Sequence, residues 1–168
     1  KDLYDARESL GLNNEDAWLL ERYYKDLVHA GAHLTEAQRE RLKELNEELS
    51  KLETQFSKNV LADTNDLAVL VESVEELDGL SDNEIAAAAA AAKDRGHDGK
   101  WLIGMVNFTG NPVLDSLTNR ELRKKIMQAS LLKANRPNDN DNKPVLLQMV
   151  KLRAERAKLF GKETHAEH

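Results

Sequence analysis

A mainly α fold is the prediction: antiparallel-packed helices, one of them long, with a small two-stranded β element. Three observations lead there. Apolar residues recur at three- and four-residue steps over most of the chain. Serine, threonine and asparagine stand ahead of several of these stretches, where helix caps belong. Only two short runs are continuous and branched enough to read as strands. The 168 residues suffice for one ordinary domain. Abundant alanine and only 5% aromatic residues predict a thin, helix-rich core.

The opening stretch KDLYDARESL already has a partial helix pattern. Asn13 or Asn14 can cap the first full helix, where Trp18, Leu19, Tyr23, Leu27 and Val28 recur at helical spacing as far as Gly31. A second helix opens at Thr35, with Gln38 completing a capping box. Its seam runs Leu42, Leu45, Leu49, Leu52, Phe56 and Val60, leaving Glu44, Glu47, Glu48, Lys51 and Lys58 to water. Reaching about Asp63, it would be roughly 40 Å long. That length suits an antiparallel helix partner better than a free-standing coiled coil, because Asn59 interrupts the seam.

After Asn65 the pattern changes. Leu67–Val71 and Trp101–Val106 read as strands. Between them Ser81 and Glu84 make a second capping box for a helix through Ile85–Ala92, which Gly96 stops after Lys93 and Arg95. Asn111-Pro112 reads as the start of a short helix, proline losing no bond at a first helical position. Thr118 and Glu121 make a third box, heading a helix with Leu122, Ile126, Met127 and Ala129 that runs to about Ala134. Beyond the polar loop NRPNDNDNKP, Pro144 starts the last helix. Its apolar face is Leu146, Met149, Val150, Ala154, Ala157 and Phe160, and Gly161 ends it.

Composition narrows the function. A net charge of −6, with bases interleaved among acids, argues against a nucleic-acid partner. The longest apolar run is the alanine stretch, far short of the roughly twenty residues of a membrane span. Without cysteine there is no disulfide, thiolate metal site or cysteine nucleophile. The chain opens at Lys1 without an initiator methionine and closes on KETHAEH, so it is expected to be a piece cut from a longer protein.

No catalytic, cofactor-binding or metal-ligating residue is assigned. There is no HExxH. His29 and His33 lie four apart, but Gly31 falls between them at the end of the helix; a surface or packing role is the better reading. His165 and His168 stand three apart in a closing segment where nothing fixes their geometry, and His168 suits a tag as well as a native residue. Asp139-Asn140-Asp141-Asn142 lacks the glycine and the bidentate glutamate of a calcium loop, and reads as a solvated loop capping the next helix. Gly96, Gly99 and Gly104 are wrongly spaced for a dinucleotide fingerprint, and Ser9, Ser57 and Ser73 sit in no nucleophile elbow. Glu47 with Lys51, and Glu155 with Lys158, have ordinary helix-surface spacing.

Several stretches taken together are specific. LSKLETQFSKNVLADTND (Leu49–Asp66), GKWLIGMV (Gly99–Val106), NREL (Asn119–Leu122), NDNDNKP (Asn138–Pro144) and VKLRAERAKLFGKETHAE (Val150–Glu167) occur in the order seen in the M3 family of zinc peptidases. The chain resembles that family, the thimet-oligopeptidase-like enzymes, from about Trp18 to Glu167, with most likeness to the bacterial peptidyl-dipeptidase and oligopeptidase A branch. His168 departs from it, standing where the family usually has tyrosine.

The resemblance implies a parent about four times this length, nearly all helical, with two lobes flanking a deep channel. It implies zinc on an HExxH helix, a further glutamate as third ligand, and attack on the scissile carbonyl by zinc-polarised water with the HExxH glutamate as base. Those residues belong to no position of this sequence. Residues 1–168 are therefore expected to be an N-terminal, non-catalytic helical segment, inactive alone, with the zinc-bearing region absent. Its partners would be short peptides in the parent's channel and the missing catalytic region. A dimer through apolar surface exposed by truncation is a further expectation, as is a cytoplasmic location. The competing class is a helical protein-interaction module working through the Leu42–Val60 seam.

Overall fold

The computed structural model describes residues 1–167, leaving aside the side chains of residues 107–111. Helices α1 (Asp2–Asp5), α2 (Asn14–His29) and α3 (Glu36–Asp66) come first. Strand β1 (Val69–Val71), α4 (Asp82–Asp94) and β2 (Trp101–Ile103) follow, then α5 (Asn107–Ser116), α6 (Arg120–Leu131) and α7 (Lys143–Leu159). The fold is mainly α with a small β element, as the sequence predicts. The chain divides into two compact units: residues 1–52 with 148–168, and residues 53–147.

In the first unit, Asn13 caps α2 by accepting the Asp16 N–H at 2.8 Å. Gly31 turns the chain toward α3 with φ +93°; a Cβ there would press on Leu34 and Leu42 at 3.2 and 3.1 Å. The capping box at α3 is present: the Thr35 N–H donates to Gln38 Oε1 at 2.9 Å, and the Gln38 N–H donates to Thr35 Oγ1 at 3.4 Å. α3 runs past Asp63 to Asp66, about 46 Å at 1.5 Å per residue. Within this unit its first half meets the second half of α7 in antiparallel sense. Gln148 Nε2 reaches Glu48 Oε1 at 3.2 Å, and Arg41 Nε reaches Glu155 Oε1 at 2.8 Å. Leu34, Leu45, Leu49, Met149, Leu152 and Ala157 are buried.

One expectation is corrected here. The buried residues of α7 are Met149, Leu152 and Ala157, while Leu146 and Val150 are exposed. The run Val145–Val150 is apolar nearly all round, so sequence periodicity cannot choose its inner face. Glu155 pairs with Arg41 across the helices, and that guanidinium, with a smaller contribution from Lys158, holds its carboxyl below the usual range.

The second unit has its own core. β1 and β2 pair antiparallel, Val69 opposite Ile103, Leu70 opposite Leu102, Val71 opposite Trp101. Both strands are shorter than predicted. β2 lies against α4, whose alanines permit close approach, and β1 lies against α6. Val71, Leu77, Ile103, Met105, Leu117, Leu122 and Ile126 close the core, each buried. At α4 the capping box is complete: the Ser81 N–H donates to Glu84 Oε2 at 2.8 Å and the Glu84 N–H to Ser81 Oγ at 3.4 Å. Its other end is a Schellman turn, in which the Gly96 and His97 N–H groups donate to the Lys93 and Ala92 carbonyls, both at 2.9 Å, with Gly96 at φ +79°. Gly79 cannot be replaced without movement: at φ +95°, its Cβ would fall 2.1 Å from the Ser116 carbonyl oxygen.

Two boundaries in this unit differ from the sequence reading. α5 begins at Asn107, so Pro112 lies inside the helix instead of opening it. Burial of Val113 and Leu117 outweighs the one backbone bond that proline forgoes. α6 is capped by Asn119, whose Oδ1 accepts the Glu121 and Leu122 N–H groups at 3.1 Å. Thr118 is diverted: its hydroxyl donates to Asp78 Oδ2 at 2.6 Å, and its N–H donates to the Asp78 carbonyl at 2.9 Å. α6 ends at Leu131, and Met127, expected on its apolar face, is about half exposed.

Candidate functional site

The densest polar constellation sits in the second unit, around Asp63. The carboxylate is fully buried near the end of α3 and faces Arg136 and Asn140. Its Oδ1 accepts from Arg136 Nη2 at 2.6 Å and from Asn140 Nδ2 at 3.0 Å. Its Oδ2 accepts from the Ala134 N–H at 2.8 Å and from Arg136 Nε at 3.3 Å. Arg136 also engages Asp66. Each oxygen therefore accepts twice, the full capacity of a carboxylate. The Arg136 hydrogen bonds, ahead of those from Asn140 and Ala134, hold the Asp63 carboxyl down at about 2, against burial acting the other way.

Beside it lies a neutral amide pair. Asn142 is buried, accepts from Asn59 Nδ2 at 2.8 Å, and donates to the Phe56 carbonyl at 3.0 Å; Asn59 Oδ1 takes Gln55 Nε2 at 2.6 Å. Ala134 holds an unusual non-glycine φ of +51°, its N–H given to Asp63 and its carbonyl receiving the Asn142 N–H at 2.9 Å. Asp141 caps α7 through the Lys143 N–H at 3.0 Å, as the sequence suggests. Asn140 and Asn142, in contrast, turn inward. The loop Asp139–Asn142 is a clamp on α3, not a freely solvated segment.

This geometry is a fastener. A carboxylate with four donors and a pKa near 2 has no free lone pair to accept a proton at neutral pH and none to offer a substrate. The sequence reading did not foresee a buried Asp63, although the signal was present. Continuing the seam from Leu45, Leu49, Leu52 and Phe56 by the same three- and four-residue steps lands on Asn59 and Asp63.

Among the described residues, the histidines singled out by spacing join no cluster of three metal-ligating side chains. His29 ends α2, His33 lies beyond Gly31 with its ring 5.8 Å from that of Phe160, and His165 is in a short 3-10 turn. His168 lies outside the described residues. Among the described residues, no three His, Cys, Asp or Glu side chains converge as metal ligands, so these side chains do not fit a zinc centre. No helix among them is long and apolar enough to cross a membrane. A groove of about 340 Å³ in the second unit is lined by Ala87, Ala88, Ala91, Leu102 and Val113. Its acid, Glu84, is engaged in the Ser81 box.

In the second unit the buried polar groups around Asp63 and Asn142 are bonded to one another. Comparison with known proteins gives the family. Residues 113–168 match the family described as peptidase family M3. A dipeptidyl carboxypeptidase of Escherichia coli is 37% identical over 159 residues, covering 95% of this chain and 23% of that protein. A dipeptidyl carboxypeptidase of Salmonella typhimurium is 34% identical, covering 98% of this chain and 24% of that protein. A probable cytosolic oligopeptidase A of Arabidopsis thaliana is 35% identical, covering 89% and 22%. The chain belongs to peptidase family M3. Within it, the similarity is to the dipeptidyl carboxypeptidase and oligopeptidase A branch, and the chain spans about a quarter of the length of these relatives.

Proposed function

We propose that residues 1–168 are a non-catalytic helical segment of a longer zinc-dependent M3 peptidase that hydrolyses short peptides, release of C-terminal dipeptides being favoured. One observation carries this reading. Similarity to dipeptidyl carboxypeptidases extends over nearly all of this chain while accounting for under a quarter of their length. The Asp63 clamp supports it, because a carboxylate committed to four donors serves rigidity and not turnover.

On this reading α3 contributes to the wall of a peptide channel, and zinc and the groups that activate water belong to the polypeptide beyond this chain. The proposed location is cytoplasmic. Mixing the 168-residue chain with zinc should produce neither stoichiometric tight binding in calorimetry nor hydrolysis of a blocked tetrapeptide. The full-length polypeptide with zinc should cleave that peptide and release its C-terminal dipeptide. Tight one-to-one zinc binding by the chain alone would contradict the assignment. A full-length protein that cleaves no peptide would favour an interaction module instead.

A further inference from the structure

Helix α2 carries seven large apolar residues and buries none of them. With side chains turned about 100° per residue, most of them fall in two adjacent rows. Leu20, Tyr24 and Val28 form the first, half-buried, with Tyr24 stacked on Tyr4 at 3.8 Å. Leu19, Tyr23 and Leu27 form the second and are 45%, 62% and 57% exposed. Away from both rows, the i,i+4 ion pairs Glu21–Lys25 and Arg22–Asp26 mark the face made for water. The apolar side of α2 is thus about twice as wide as this chain covers. A surface helix normally hides such an arc completely.

We propose that the Leu19–Tyr23–Leu27 row is a docking surface for an apolar helix face of the rest of the same polypeptide. This rests on the reading of the chain as part of a longer peptidase and adds the place where the two parts are held. The M3 relatives exceed this chain by about three quarters of their length, which supplies the occupant.

A second copy fits less well. Three positions four apart span about 12 Å of helix. Two such rows facing each other would bury far less than the roughly 1,200 Å² of a stable association. A covalently continuous body does not need that area, because its effective concentration is of millimolar order. The row's chemistry also suits helix-on-helix packing, two leucines flanking a tyrosine whose hydroxyl can stay at the wet rim.

The test uses Tyr23→Lys/Leu27→Glu in the 168-residue chain and in the full-length polypeptide, with Tyr23→Phe as control. In the short chain the double variant should move Tm by less than about 2 °C, as exposed positions do. In the full-length protein it should lower Tm by more than about 5 °C, while Tyr23→Phe leaves both unchanged. Amides of α2 should exchange at least tenfold more slowly in the wild-type full-length protein than in the short chain, a comparison that stands even if the variant fails to fold.

Equal exchange in both lengths would overturn the proposal. So would a short chain that sediments as a dimer dissolved by the double variant. Peptide hydrolysis is read in parallel on the wild-type full-length protein. Hydrolysis without α2 protection sinks the docking surface alone; protection without hydrolysis sinks the peptidase reading and leaves the surface standing.

Discussion

The unit around β1, β2, α4, α5 and α6 and the helix α2 solve the same problem to different degrees. The first buries Leu77, Leu117 and Ile126 almost completely and fastens α3 to its loop through a carboxylate with every acceptor position filled. The second has a sound N-cap, two surface ion pairs and an amphipathic sequence, yet none of its residues is buried. Local signals suffice to form a helix. They do not provide it with a core. The difference teaches that part of this chain carries its own core while α2 keeps an apolar face that these 168 residues leave exposed.

Substitutions can break or sharpen that contrast. Asp63→Ala should have the largest effect, about 3–5 kcal/mol by denaturant unfolding, because it strands Arg136, Asn140 and the Ala134 N–H together. Leu77→Ala, at a residue with no exposure, should cost about 2–5 kcal/mol. A loss below 1 kcal/mol in either would mean that the second unit is not the self-supporting part.

Acid should act through the same clamp. Folding holds the Asp63 carboxyl at about 2 where the ordinary value is 3.8. The unfolded chain therefore takes up protons first, and the stabilisation, present above about pH 5, is lost as pH falls toward 2. The expected loss is roughly 2 kcal/mol. An Asp63→Asn variant should show a shallower acid slope than the parent. Parallel slopes would assign the loss to other carboxylates.

Smaller again is Ser81→Ala, which removes one capping box and should cost about 1 kcal/mol. At the foot of the scale, Leu19→Gln in α2 should change stability by less than about 0.5 kcal/mol. A cost comparable to that of Leu77→Ala would erase the contrast between the two regions.

Much of the fold was legible because helix ends are written locally. Asn13, the Thr35–Gln38 box, the Ser81–Glu84 box and the Gly96 stop all act within a few residues of themselves. The two strands were legible as branched runs bounded by polar residues, though pairing over only Val69–Val71 and Trp101–Ile103 shortened them. What was not legible depends on distant partners. Thr118 has the spacing of a cap but finds Asp78, forty positions away in sequence. Asp63 looks like a surface acid until Arg136 and Asn140 arrive from the far side of a loop. The inner face of α7 is chosen by what packs on it, since its apolar residues point in too many directions to choose for themselves.

The likeness to the M3 family was legible through runs such as GKWLIGMV and NDNDNKP.

Hydrogen exchange across the 168-residue chain tests the central contrast most directly. Amides of α4 and α6 should be protected to nearly the full unfolding free energy of their unit, and those of α2 should open through far smaller fluctuations and exchange orders of magnitude faster. Uniform protection from α2 through α6 would contradict the account, since it would show that α2 already possesses the cover it is argued to lack.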